Sequence, residues 1–178
     1  MRLFMAIDLD PNIRRAVEKI QRQIEEPGLN VVRPENLHLT LKFLGEMEDV
    51  KVEGIIKQLE EVKMQPFEVE YSGIGAFPSL DYIRVIWIGI NGEGLQELAG
   101  KVRNALSEYP DDHPFSAHLT IARVKHRPQR LGDNLQKLAD VKIGKQLVSE
   151  FKLKKSTLTP QGPVYEDVKV FKLGADES

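Results

Sequence analysis

Pro34-Glu35-Asn36-Leu37-His38-Leu39-Thr40-Leu41-Lys42-Phe43-Leu44-Gly45 is answered 80 residues later by Pro114-Phe115-Ser116-Ala117-His118-Leu119-Thr120-Ile121-Ala122-Arg123. In both stretches a proline stands four positions ahead of His-Leu-Thr, and an aliphatic residue follows the threonine. The chain has only four histidines, and two of them fall in this repeated frame. A repeated frame of this kind implies a duplicated fold. Equivalent halves can then present two imidazoles to one substrate.

Strand alternation explains the spacing. Side chains of an extended chain point to opposite faces in turn, so residues i and i+2 project together. In the first copy His38, Thr40 and Lys42 fall on one face, while Leu37, Leu39, Leu41 and Phe43 fall on the other. In the second, His118 and Thr120 share a face and Ala117, Leu119 and Ile121 point away. The leucine between each polar pair is a packing residue, and the imidazole and hydroxyl face outward together.

Outward from the motifs, the element order repeats. Leu3 to Asp8 reads as a strand. Pro11 to about Glu26 reads as a helix with Ile13, Val17, Ile20 and Ile24 inward, stopped by Pro27-Gly28. Residues 37–44 form the first motif strand, 50–62 a helix and 67–74 a strand with alternating Phe67, Val69 and Tyr71. The second half runs strand 82–90, a helix marked by Leu95, Leu98, Val102 and Leu106, and the motif strand 115–124. A short helix carrying Leu131, Leu135 and Leu138 follows, then strands 146–158 and 164–173. The expected fold is α+β: a bilobed duplicated fold with pseudo-twofold symmetry, mainly antiparallel sheets lining a central cleft, and helices outside. No linker separates the halves, so residues 1–178 read as one domain of two lobes, roughly 1–80 and 81–178, with strand exchange between them as one arrangement.

Composition excludes much else. An apolar fraction of 41% and a charged fraction of 29% are those of an ordinary globular chain. No apolar run approaches the roughly 18–20 residues that span a bilayer. Residues 1–8 acquire charge too early for a signal peptide, so a cytoplasmic location is expected. With no cysteine, disulfides, thiolate metal sites and a cysteine nucleophile are excluded. A net charge of −2 argues against coating nucleic acid by bulk electrostatics. Phosphate recognition must be local, and the run Arg123-Val124-Lys125-His126-Arg127-Pro128-Gln129-Arg130 is either its source or a solvated loop. His113 and His126 read as loop residues, His126 as a minor phosphate contact.

Histidine titrates near neutrality, so one imidazole can take a proton from water while a second donates to a leaving alkoxide. Threonine hydroxyls beside them can hold non-bridging phosphate oxygens. Two His-x-Thr pairs therefore suit metal-free phosphodiester chemistry. A metal hydrolase would want three or more ligands at these positions, and the nearest carboxylates are Glu35 and Glu46. A serine triad lacks its Gly-x-Ser-x-Gly elbow, and no phosphate-binding loop signature occurs.

These residues resemble the two-histidine (2H) phosphoesterase superfamily, in particular its RNA 2′,3′-cyclic phosphodiesterase branch, historically called 2′–5′ RNA ligase. The resemblance runs through Arg2-Leu3-Phe4-Met5-Ala6-Ile7, both motif blocks, Val85-Ile86-Trp87-Ile88-Gly89-Ile90 and Ser156-Thr157-Leu158-Thr159-Pro160-Gln161-Gly162-Pro163-Val164-Tyr165. One departure is Ala117, where many members have proline. The resemblance implies no cofactor, and opening of a terminal RNA 2′,3′-cyclic phosphate to a 2′-phosphate. By the family pattern His38 would be the proton donor to the 3′-oxygen and His118 the proton acceptor from water. Thr40 and Thr120 would hold the phosphate, with Arg123 and Lys42 as further phosphate-binding candidates. In a regular strand, however, Arg123 lies opposite His118. Either the strand twists or bulges near Ala122 and carries it to the cleft, or Arg123 is structural and bridges the lobes.

The partner implied is RNA with a cyclic phosphate end, tRNA fragments being one class, met by a monomer away from membranes. Alternatives are ATP-independent 2′–5′ ligation by the reverse chemistry, hydrolysis of a small cyclic nucleotide, and a non-catalytic module binding an RNA end. Base-stacking aromatics would separate them, but sequence does not show which of Phe43, Phe77, Tyr82 or Tyr165 faces the cleft.

Overall fold

A computed structural model describes residues 1–111, 114–126, 128 and 130–174. His113, Arg127 and Gln129, singled out in the sequence, lie outside the described residues. In chain order the elements are β1 (Arg2–Asp8), α1 (Pro11–Ile24), β2 (Leu29–Val31), a 3₁₀ turn (Pro34–Asn36), β3 (His38–Glu46), α2 (Asp49–Glu60), β4 (Phe67–Pro78) and β5 (Ile83–Asn91). There follow α3 (Glu93–Ala105), β6 (His118–Val124), α4 (Leu131–Lys137), β7 (Lys142–Val148), β8 (Glu150–Thr159) and β9 (Gly162–Lys172). Among the described residues no helix is long and apolar enough to cross a membrane.

Two antiparallel sheets carry the fold. One has the strand order β3-β1-β8-β9 and the other β2-β6-β5-β4-β7. Each motif strand, β3 and β6, lies beside the first strand of its own half, β1 or β5. Sheet membership does not follow the two halves of the sequence. Strand β4 from the first half joins the sheet of β6, and β8 and β9 from the second half join the sheet of β3.

The helices form for local reasons. Proline opens α1 at its first turn, where its missing N–H costs nothing. Ile13, Val17, Ile20 and Ile24 then fall on one buried stripe. The helix ends at Ile24 rather than Glu26, because the chain must turn into β2. Gly28 makes that turn at φ +93°, where a Cβ would also collide with the His126 carbonyl. Facing leucines and isoleucines fill the core behind the sheets. Leu3, Met5, Ile7, Leu39, Leu41 and Leu153 are all essentially inaccessible, each contributing on the order of 1.5–3 kcal/mol by burial.

The stretch expected as one strand, 146–158, is two. Gln146 and Val148 are buried, then Phe151 and Leu153, so the inward phase slips by one at Ser149. At that residue the chain leaves one sheet and enters the other, and a slip of one exchanges the faces. Two buried glutamines stitch the layers together, Gln146 joining the two sheets and Gln21 joining helix to sheet. Gln146 accepts from Tyr71 Oη (2.8 Å) and donates to Asp8 O (2.9 Å). Gln21 on α1 donates to Val32 O (2.8 Å) and Ile121 O (3.0 Å).

Candidate active site

Both motif strands depart from regular alternation at the same place. On β3, Thr40 pairs with Ala6 and Lys42 with Met5, so Leu41 is an extra residue. On β6, Thr120 pairs with Trp87 and Ala122 with Ile86, so Ile121 is extra. A bulge adds one residue and reverses the faces beyond it. His38 and Thr40 therefore share the cleft face as alternation requires, and so do His118 and Thr120. Beyond the bulge Lys42 leaves the open face that alternation gives it, although it still lines the wall of the cavity that holds both histidines. It pairs with Met5, on the core side, and its side chain is only 2% exposed. Its ammonium donates to Asp111 Oδ1 at 2.8 Å, and the other oxygen of Asp111 lies 2.9 Å from Arg103 Nε.

The same bulge resolves the objection to Arg123. It pairs with Val85, two residues from Trp87 on the cleft side of β5, and its side chain is exposed. Phe43 holds the equivalent place in the first half, paired with Phe4 and 69% exposed. One cavity of about 1260 Å³ is lined by His38, Thr40, Lys42, Phe43, His118, Thr120 and Arg123, together with Tyr165 and the β8–β9 turn. Among the described residues of the basic run 123–130, only Arg123 lines that cavity. His126 instead gives its backbone N–H to Gly28 O, at the turn behind β2.

Each imidazole is turned by the residue two positions before it. His38 Nδ1 lies 2.7 Å from the Asn36 backbone oxygen. A carbonyl can only accept, so Nδ1 carries the proton and Nε2 is the atom available to the cavity. His118 Nδ1 lies 3.0 Å from Ser116 Oγ, which can accept from the same tautomer. Asn36 also donates from its side chain to Pro163 O at 3.1 Å, tying the β8–β9 turn to the approach to His38.

Aromatic rings flank both imidazoles. Phe4 and Tyr165 stand with ring centroids 5.1 Å and 5.2 Å from His38. Phe77 and Trp87 stand 5.2 Å and 6.4 Å from His118. Tyr82 instead accepts from Arg84 on the β4–β5 hairpin, at 2.6 Å. Burial among these rings is the largest influence on both histidines and holds each below the usual imidazole value of 6.5. Secondary influences differ. The Asn36 carbonyl and Asp8 favour protonated His38 while Lys154 opposes it. The Ser116 backbone carbonyl favours protonated His118 and the Arg123 guanidinium opposes it.

Asp8 belongs to a four-membered ion cluster on the same sheet face. Lys152 Nζ lies 2.7 Å from Asp8 and 2.9 Å from Asp167, and Lys154 Nζ 2.8 Å and 2.9 Å from the same pair. Burial would raise both carboxyls, but the two ammonium groups outweigh it and hold them below 3.8. Among the described residues no group of three or more His, Asp or Glu side chains gathers as a metal-ligand set.

Asn36, Ser116, Phe4, Trp87, Asp8 and Lys154 were not among the sequence candidates. A signal existed for two of them. Asn36 and Ser116 stand at the same offset from their histidines, Ser116 with a hydroxyl that can accept and Asn36 with a backbone carbonyl.

Comparison with known proteins agrees with this geometry. The family model described as LigT like Phosphoesterase matches residues 7–87 and again 88–165. A protein of Archaeoglobus fulgidus named RNA 2′,3′-cyclic phosphodiesterase is 43% identical over 96% of this chain and 99% of its own. A crystal structure from Thermus thermophilus superposes with a TM-score of 0.86 at 31% identity, covering 97% of both chains. Escherichia coli LigT in complex with 3′-AMP superposes with a TM-score of 0.79 at 27% identity, covering 97% of both. A duplicated frame, paired imidazoles in one cleft and a family model that matches each half in turn lead to one assignment: the chain belongs to the LigT-like 2H phosphoesterase family.

Proposed function

We propose that the protein hydrolyses RNA 2′,3′-cyclic phosphate ends to 2′-phosphates, without a metal ion, using His38 as proton donor and His118 as proton acceptor. The observation that carries the reading is the pair of imidazoles lining one cavity, His38 with its Nδ1 tied back to a carbonyl and its Nε2 left for chemistry. Water attacks phosphorus and gives its proton to His118. The bond from phosphorus to the 3′-oxygen breaks, and that oxygen takes the proton from His38. A 2′-phosphomonoester and a 3′-hydroxyl result, and solvent returns the two histidines to their starting states.

The placement of Arg123 beside His118 supports this division of labour. Among the described residues, the guanidinium of Arg123 is the charge that perturbs His118, and a neighbouring cation favours the neutral imidazole that a base requires. At His38 burial and Lys154 oppose protonation, while the Asn36 carbonyl and Asp8 favour the imidazolium that an acid requires. Thr40 and Thr120 share their histidines' faces, where their hydroxyls can hold non-bridging oxygens. Arg123 can neutralise the phosphate with a charge-assisted contact. Exposed Phe43 offers a face on which the terminal base can stack.

The related protein of Archaeoglobus fulgidus carries the name of this activity, and Escherichia coli LigT binds 3′-AMP. End-group analysis tests the reading. An oligoribonucleotide ending in a 2′,3′-cyclic phosphate should yield a 2′-phosphate, with undiminished rate in excess chelator. A 3′-phosphate product, or loss of turnover on chelation, would overturn it.

A further inference from the structure

Gln21 is a polar residue where α1 should present an apolar one. It lies on the stripe of Ile13, Val17, Ile20 and Ile24 and is only 4% exposed. An amide left without partners in such a place costs about 1–3 kcal/mol, so its bonds identify its purpose. Its Nε2 donates to two backbone oxygens, Val32 O and Ile121 O. Ile121 is the extra residue of the β6 bulge. Its carbonyl also accepts from the Val32 N–H at 2.9 Å, so both of its lone pairs are occupied.

We propose that Gln21 is a positioning residue for the phosphodiesterase reaction, holding the bulge at Ile121 that turns Arg123 into the cleft. The faces on β6 beyond Thr120 depend on that one inserted residue. If β6 ran straight, position 123 would fall on the core side with Leu119 and Ile121, and the guanidinium would leave the phosphate site. Gln21 fastens the inserted residue from behind the sheet. It also fastens the end of β2, whose Asn30 pairs with Arg123 and whose Val31 pairs with Ala122. The helix thereby fixes the register of the strand that carries both His118 and Arg123.

The inference rests on the reading of Arg123 as a phosphate ligand, so the experiment separates the two. Gln21→Met keeps the length of the side chain and removes the donor; Gln21→Asn keeps an amide that is too short. kcat/KM on a cyclic-phosphate oligonucleotide is measured for both, for Arg123→Ala and for Gln21→Met/Arg123→Ala. His118 is titrated by NMR in each folded variant. Arg123→Ala is expected to lose about tenfold or more, as for one charge-assisted contact. Gln21→Met and Gln21→Asn should approach that loss, and the double variant should fall no further than Arg123→Ala. His118 should titrate higher in all of them, since the guanidinium no longer faces it. Wild-type kcat/KM in Arg123→Ala would remove the phosphate role of Arg123 and leave the His118 titration to judge Gln21. Unchanged His118 titration in Gln21→Met and Gln21→Asn, or losses that add in the double variant, would overturn the proposal.

Discussion

Asp8 stands directly across the β1–β3 ladder from His38, and Lys154, which pairs with Asp8 at 2.8 Å, opposes protonation of the same imidazole. Removing the lysine acts twice in one direction. It takes a cation away from His38 and leaves Asp8 less neutralised, and both changes favour the imidazolium. Lys154→Met should therefore move one limb of the pH–rate profile to higher pH. If His38 is the acid, it is the alkaline limb that moves, because activity needs His38 protonated. Movement of the acidic limb would instead make His38 the base.

Replacing either histidine by alanine should reduce turnover of a cyclic-phosphate oligonucleotide by about 10²–10⁴-fold, the range typical of a general acid or base. Both side chains face the cleft rather than the core, so the folded state should persist by circular dichroism. Near-normal turnover in either variant would remove the two-histidine mechanism.

Asn36→Ala separates the two tasks of one residue. The backbone oxygen that holds His38 Nδ1 survives the substitution, whereas the side-chain bond to Pro163 is lost. Stability should fall by about 0.5–1.5 kcal/mol, the net worth of a hydrogen bond. KM for an oligonucleotide should rise as the β8–β9 turn loosens at the cleft edge, with the limbs of the pH profile unmoved. A shifted limb would mean that the side chain, and not the carbonyl, orients His38.

Stability should also depend on pH through the same imidazoles. Both titrate below 6.5 when folded, so beneath that value the unfolded chain binds protons that the folded chain does not. Stability then rises with pH across the window between the lowered folded values and about 6.5. Denaturant midpoints measured on either side of that window should show the gain, and His38→Ala/His118→Ala should flatten it. A midpoint that falls with pH over the same interval would contradict the burial of the two rings.

The extent to which sequence alone reveals this site follows from how local each determinant is. Alternation is local, so His38 with Thr40 and His118 with Thr120 are placed correctly from spacing. A bulge is not local. The extra residues Leu41 and Ile121 are ordinary strand formers, and what makes them extra is the register against β1 and β5. Alternation therefore leaves Lys42 open on the cleft face when it is buried in the cavity wall against Asp111, and assigns Arg123 to the core side when it faces the cleft. Strand β2 has three residues and no periodicity to read; it exists because the edge of β6 is there to pair with it. The break at Ser149 is visible in retrospect as a slip in inward phase, but its cause is the passage from one sheet to the other.

The exchange of strands between the halves means that the duplication cannot be undone with a cut. A fragment ending near residue 80 would keep β1, β3 and their histidine but lack β8 and β9, which complete their sheet. It would also carry β4 as a strand without its proper neighbours, β5 and β7. Each half supplies a structural wall for the other half's histidine: Tyr165 stands beside His38, and Phe77 beside His118. The repeated frame therefore marks two half-sites that are completed together, each imidazole standing between a ring of its own copy and a ring of the opposite one.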